Sequence, residues 1–226
     1  MIGVFDSGCG GLYTVDKIRE LSPSADIIFF ADRKNAPYGT RSKTEIIRIT
    51  RQNIKYLKGL GATRILIACC TASSVYYALS EEERKISLPI ITPTARKAAE
   101  ITKSKKIAVI STEATAKSGI FERRLKSLIP DCTVYTEPTQ ELVSLIENGL
   151  CDENITESGA LKTEKILSRL KGLDFDTLIL GCTHFPRLEK TIGRILSCKT
   201  VSSALAGAEE ILKTEGREGN GTTLFV

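Results

Sequence analysis

Short uninterrupted apolar runs alternate along this chain with stretches whose apolar residues recur every three or four positions. Runs of the first kind predict strands buried on both faces of a parallel sheet, and stretches of the second kind predict helices packed against them. Ile2-Gly3-Val4-Phe5 opens the series, and Leu12, Val15, Ile18 and Leu21 follow at helical spacing until Ser22-Pro23 stops them. Residues 26–32 predict a second strand, and Pro37 and Gly39 punctuate the turn after it. Ser42 and Glu45 have capping-box spacing at the head of a helix that carries Ile46, Ile47, Ile54 and Leu57 and ends at Gly59. A strand through Ile65-Leu66-Ile67 leads to a short helix over 71–79, whose solvated end is expected at Glu81-Glu82-Glu83. A short strand over 88–91 completes this half.

The pattern starts afresh after Thr92-Pro93-Thr94, the expected crossing between domains. Strands are expected at 106–111 and 133–136, with a helix between them carrying Ile120, Phe121, Leu125 and Leu128. Helices over 140–148 and 155–170 follow, the second with Leu161, Ile166, Leu167 and Leu170 as its apolar positions. After a strand through Leu178-Ile179-Leu180 come a helix to Leu196, a strand near Thr200, a helix over 204–212, a glycine-rich turn and a last strand over 222–226. Alternation of this kind predicts two similar doubly wound α/β domains, 1–93 with 204–226 and 94–203, facing each other across a cleft where a ligand would bind.

Two of the runs end alike. Ile65-Leu66-Ile67-Ala68 is followed by Cys69-Cys70-Thr71, and Leu178-Ile179-Leu180-Gly181 by Cys182-Thr183-His184, the latter holding the only histidine of the chain. Ligands of parallel sheets sit beyond the carboxyl ends of the strands, so Cys69 and Cys182 are placed where a thiol can be ionised by a helix N-terminus or a protonated histidine. The first run ends in Asp6-Ser7-Gly8-Cys9-Gly10-Gly11. Its glycines would let the backbone approach an anionic ligand, although the same residues equally suit a tight turn capped by Asp6 or Ser7.

Composition narrows the choice. With 42% hydrophobic residues in 226, the chain can bury a substantial core. The 32 basic and 27 acidic side chains leave a charge of +5 without a basic block, so nucleic acid is not an expected partner, and Arg123-Arg124 and Lys105-Lys106 are taken as solvated faces. No apolar run approaches the roughly 20 residues of a membrane helix, and a cytoplasmic protein is expected. Seven cysteines, an odd number without secreted-domain spacing, fit a reducing compartment and free thiols.

Two thiols across a cleft suit the removal of a proton from one face of a carbon and the return of one to the opposite face, with Asp6 and His184 orienting or deprotonating thiols or substrate amine. No cofactor is needed. In these residues the chain resembles the glutamate racemases of the aspartate/glutamate racemase superfamily. The resemblance rests on residues 2–11, on Asp32 with Pro37-Tyr38-Gly39, on residues 68–73 and on residues 176–186. It implies a cofactor-independent, homodimeric isomerase of two α/β domains that makes D-glutamate for peptidoglycan. Cys69 would be the base for the D-enantiomer and Cys182 the base for the L-enantiomer. Asp6 would pair with the first thiol and His184 with the second, with Asp32 and Glu147 close to the catalytic groups. Ser7, Pro37, Tyr38, Gly39, Cys70, Thr71, Thr115 and Thr183 would contact the substrate, beside Asp6 and His184.

Two features depart from the family. Cys70 stands where asparagine is usual, which implies weaker glutamate binding, a different preferred amino acid, or a compensating rearrangement. The chain also ends at Val226, soon after Thr222-Thr223, where relatives continue into another helix; an effect on stability or the dimer contact is expected, not on the catalytic motifs. Four other readings compete. A cysteine hydrolase would leave one cysteine motif without a task. A zinc site of Cys69, Cys70, Cys182 and His184 lacks zinc-ribbon spacing, and no metal is expected. A binding protein disabled by Cys70 would show no exchange of the α-proton, and aspartate is the rival substrate.

Overall fold

A computed structural model describes residues 1–149, 156–214 and 219–226. Cys151, Ile155 and much of the expected glycine-rich turn lie outside them. The first sheet contains β1 (Ile2–Asp6), β2 (Ile27–Ala31), β3 (Arg64–Ile67) and β4 (Ser87–Pro89); the second contains β5 (Lys106–Ser111), β6 (Thr133–Pro138), β7 (Thr177–Gly181) and β8 (Lys199–Ser202). The last strand, β9 (Thr223–Phe225), returns to the first sheet. Strand orders are β4-β3-β1-β2-β9 and β6-β5-β7-β8, and every pairing is parallel. The architecture is therefore two parallel-sheet α/β units, as the alternating pattern predicts.

Helices α1 (Leu12–Leu21), α2 (Lys43–Gly59), α3 (Cys70–Ser73), α4 (Glu81–Ile86) and α5 (Ile91–Ile101) come before the second sheet. They are followed by α6 (Glu113–Ser118), α7 (Ile120–Leu128), α8 (Gln140–Glu147), α9 (Glu157–Ile166), α10 (Glu189–Leu196) and α11 (Ser203–Thr214). None of the described helices is long and apolar enough to cross a membrane.

The twofold period of a strand distributes its side chains between layers. Val4 and Leu66 point to a central apolar cluster with Ile91, Ala95 and Ala98 of α5 and Ala208 and Ile211 of α11, whereas Phe5, Ile65 and Ile67 point to an outer one with Ile49 and Leu57 of α2. In the second sheet Ile107, Val109 and Ile179 join the same central cluster, while Ala108, Ile110, Leu178 and Leu180 face Leu142 and Ile192 outside. The central cluster thus runs from one sheet through α5 and α11 to the other. This places the carboxyl ends of the two sheets against each other.

Four local expectations need correction. Glu81-Glu82-Glu83 opens a helix instead of ending one: the Ser80 hydroxyl accepts from the Glu83 amide and the Glu83 carboxylate from the Ser80 amide, and three acids suit the positive end of a helix dipole. Accordingly, the 71–79 helix is only the single turn α3 with a separate 3₁₀ turn at Tyr76–Ala78. Thr92-Pro93-Thr94, the expected crossing, forms the first turn of α5, where proline removes no intrahelical hydrogen bond. The helix after β5 is broken into α6 and α7 by Gly119, whose φ of 61° is left-handed. Finally, Leu161 is exposed rather than part of an apolar face. The Ser42–Glu45 capping box is present as expected.

Candidate active site

In each sheet the chain order reverses beside the first strand: β2 pairs on one side of β1 and β3 on the other, and β6 and β7 flank β5 in the same way. Such switch points open a crevice at the carboxyl ends of the strands. Asp6 ends β1, Cys69 follows β3, Thr112 follows β5 and Cys182 follows β7. All four chemistry-bearing positions are thus set by topology.

On the wall from the first sheet, Cys69 is buried at the N-cap of α3, and its thiol donates to Ser7 Oγ at 3.6 Å. Burial and the nearby Asp6 carboxylate push this thiol up to about 12, outweighing the Ala72 amide and Ser7 that favour its ionised form. The expected lowering by a helix N-terminus does not occur, because a one-turn helix has little dipole to set against desolvation. Asp6 is itself fully buried, accepting from the Gly8 amide at 3.1 Å and from Thr183 Oγ1 at 3.2 Å. Its carboxyl is raised by burial, against the opposing pull of His184. Asp32 does not reach the cavity. It accepts from Tyr38 Oη at 2.5 Å and from Asn35 Nδ2 at 2.9 Å, while Asn53 Nδ2 donates to Tyr38 Oη at 2.9 Å. Asp32 therefore meets the cavity only through Tyr38, whose phenol burial and Asp32 keep protonated.

On the opposite wall, Cys182 Sγ lies 3.5 Å from His184 Nδ1, and Glu147 Oε1 lies 3.2 Å from His184 Nε2. Burial pushes the imidazole down, but Cys182, then Cys9 and Glu147, raise it well above the ordinary histidine range. The same contact with His184 lowers Glu147 and also lowers Cys9, a further cysteine of the site that motif reasoning overlooks. Gly10 permits this approach of the two halves: a Cβ there would stand 2.6 Å from Thr183 Oγ1 and 3.1 Å from the His184 ring.

Between the walls is a cavity of about 30 Å³. Of the residues singled out from sequence, Ser7, Pro37, Tyr38, Gly39, Cys69, Cys70, Thr71, Glu147, Cys182, Thr183 and His184 line it, whereas Asp6, Asp32 and Thr115 stand behind the lining. Thr115 is tied in through hydroxyls: Thr71 Oγ1 lies 2.9 Å from Thr112 Oγ1, which donates to Thr115 Oγ1 at 2.9 Å. Cys70 is buried, and burial first, then Cys182 and Cys69, push its thiol up. The lining also contains Ala36, Thr112, Gln140 and Val143, which sequence reasoning missed. A signal for the last two existed, since Gln140, Val143 and Glu147 share one face of α8 at helical spacing. Among the described residues no group of three or more His, Cys, Asp or Glu is arranged to hold a metal ion.

Comparison with known proteins agrees with this geometry. Residues 2–211 match the family model described as Asp/Glu/Hydantoin racemase. The glutamate racemase of Aquifex aeolicus is 36% identical over 98% of this chain and 85% of its own. A crystal structure of a glutamate racemase isoform of Bacillus anthracis superposes with a TM-score of 0.90 at 34% identity, covering 100% of this chain and 86% of that one. The glutamate racemase of Francisella tularensis, solved in complex with D-glutamate, gives 0.89 at 31% identity over 99% of this chain and 86% of that one. Two parallel-sheet units meeting at paired cysteines, together with these matches across nearly the whole sequence, place the chain in the Asp/Glu/Hydantoin racemase family, with the glutamate racemases.

Proposed function

We propose that this cavity binds glutamate and interconverts its enantiomers by a two-base mechanism without a cofactor. The observation that carries the proposal is that Cys69 and Cys182, from different sheets, line one cavity, each with its own partner. A Cys69 thiol pushed up to about 12 is the proton donor of the resting site. His184, held protonated, supplies positive charge beside the Cys182 sulfur, the environment in which a thiol serves as base. From L-glutamate, Cys182 takes the α-proton and Cys69 returns one to the other face. In the reverse direction the substrate ammonium stabilises the Cys69 thiolate, and the buried Asp6 offsets that charge. Asp32 contributes by holding Tyr38.

Ser7, Tyr38, Gly39, Thr71 and Thr183 bind the substrate's carboxylates and amine, with Pro37 and Cys70 shaping the wall. The catalytic halves on this reading are residues 1–93 with 204–226 and residues 94–203; the strands of the first sheet fall in the former and those of the second in the latter, which supports the division. On this reading the protein is a cytoplasmic homodimer whose D-glutamate serves peptidoglycan synthesis, cell-wall biogenesis and cell shape. The Cys69→Ser and Cys182→Ser variants are each expected to lose about 10²–10⁴-fold in racemisation rate, the usual share of a general acid or base. Either variant racemising at the parent rate would refute the pairing of the two thiols. Aspartate turnover in the same assay would move the substrate but keep the mechanism.

A further inference from the structure

Among the described residues, Gln140 is the one amide side chain in the lining of the cavity. It opens α8 on the second-sheet side, on the same helix face as Val143 and Glu147. Its carbonyl oxygen is buried and has no hydrogen-bond partner. The side chain reaches across to the first-sheet half, where a Cβ on Gly39 would collide with Gln140 Oε1 and stand 3.0 Å from Thr112 Cβ. A buried carbonyl without a donor is costly, and such groups in folded proteins are nearly always satisfied. An orphan acceptor on a residue that lines a substrate cavity, packed against Gly39 of the same lining, is one that a donor on the substrate can complete.

The chemistry of a dicarboxylic amino acid decides which part completes it. At neutral pH both carboxylates are acceptors only, and the sole donor is the α-ammonium group. We infer that Gln140 is a substrate-binding residue of this site, its side-chain carbonyl accepting a hydrogen bond from the substrate ammonium. The inference rests on the proposed glutamate chemistry. It also gives the second-sheet half a direct hold on the amine, beside the reacting carbon. With its amide turned the other way, Gln140 would instead donate to a carboxylate, and the two arrangements make opposite predictions.

The test compares glutamate with glutarate, the same dicarboxylate without the amine. The inhibition constant of glutarate divided by the KM of L-glutamate isolates the ammonium contact, because general damage to the site weakens both ligands. In Gln140→Leu this ratio is expected to fall about tenfold, as for a hydrogen bond lost to a charged group. In Gln140→Glu, which keeps an acceptor and adds a charge that repels bare carboxylates, the ratio is expected to stay or rise. A ratio unchanged in the Leu variant, or one that falls in the Glu variant, overturns the inference. Failure of the parent to exchange the α-proton of glutamate would overturn the proposed function and this inference together. An unchanged ratio in a parent that does exchange overturns this inference alone.

Discussion

Cys70 stands in the lining of the cavity directly after Cys69. It is buried, lines the cavity and joins the central apolar cluster, so its thiol behaves as a small hydrophobe rather than as a polar contact. Asparagine at this position would add a donor and an acceptor. In Cys70→Asn the KM for glutamate should drop about tenfold if the amide reaches a charged substrate group; steady-state kinetics that leave both KM and substrate preference unchanged would show that the site does not use this position. A second prediction concerns Cys69, which Asp6 helps to push up. Removing that charge in Asp6→Asn moves the thiol down, so the pH profile of its alkylation by iodoacetamide, followed by peptide mass spectrometry, should shift to lower pH. An unshifted profile would mean that burial alone sets the thiol. Much of this site was legible residue by residue, because catalytic groups sit at strand ends and strand ends are visible in the apolar pattern. What was not legible was depth: nothing local distinguishes Tyr38, in the lining, from Asp32, which stands behind it and holds its hydroxyl. Cys9 was hidden for the opposite reason, since its partner His184 is distant in sequence.

At the scale of elements, the strand beginnings matter as much as the ends. Asp176, just before β7, accepts from Thr102 Oγ1 at 2.7 Å, the Lys103 amide at 2.6 Å, the Ser104 amide at 2.8 Å and Thr177 Oγ1 at 2.9 Å. It thereby fixes the end of α5 to the start of the strand that delivers Cys182. Burial opposes its ionisation, but these four donors outweigh burial and hold the carboxyl well below the usual carboxylate range. With a folded value below the unfolded 3.8, its contribution is present above that pH and is lost as pH falls below it. Replacement in Asp176→Asn sets an amide donor against donors, and should cost about 1–3 kcal/mol at neutral pH with the difference shrinking under acid. Urea titrations at pH 7 and pH 3 would check this, and an equal loss at both would contradict it. The elements that sequence misplaced were those decided by caps and exposure. The helix α4 depends on a capping box at Ser80, and Leu161 has an apolar side chain but no layer to cover it.

For the molecule as a whole, the two sheets share one central apolar cluster and place their switch points face to face. The cavity between them, about 30 Å³, holds no more than a water or two, far below the roughly 300 Å³ at which ligand pockets begin. Substrate entry therefore requires the walls to part. The hydrogen bonds that link the walls at the site include Thr183 to Asp6, Thr71 with Thr112 and Thr115, and the Ala114 amide to the Gly39 carbonyl, above the apolar cluster that the two sheets share. The central claim of the proposed mechanism is that the walls, closing around glutamate, hold the two thiols at opposite faces of one carbon. It is tested most directly by proton NMR of L-glutamate with the protein in deuterium oxide, resolving the enantiomers at early times. Two bases predict that every D-glutamate formed carries deuterium at the α-carbon while the remaining L-glutamate keeps its proton. D-glutamate that retains the original proton, or no loss of the α-proton signal at all, would contradict it.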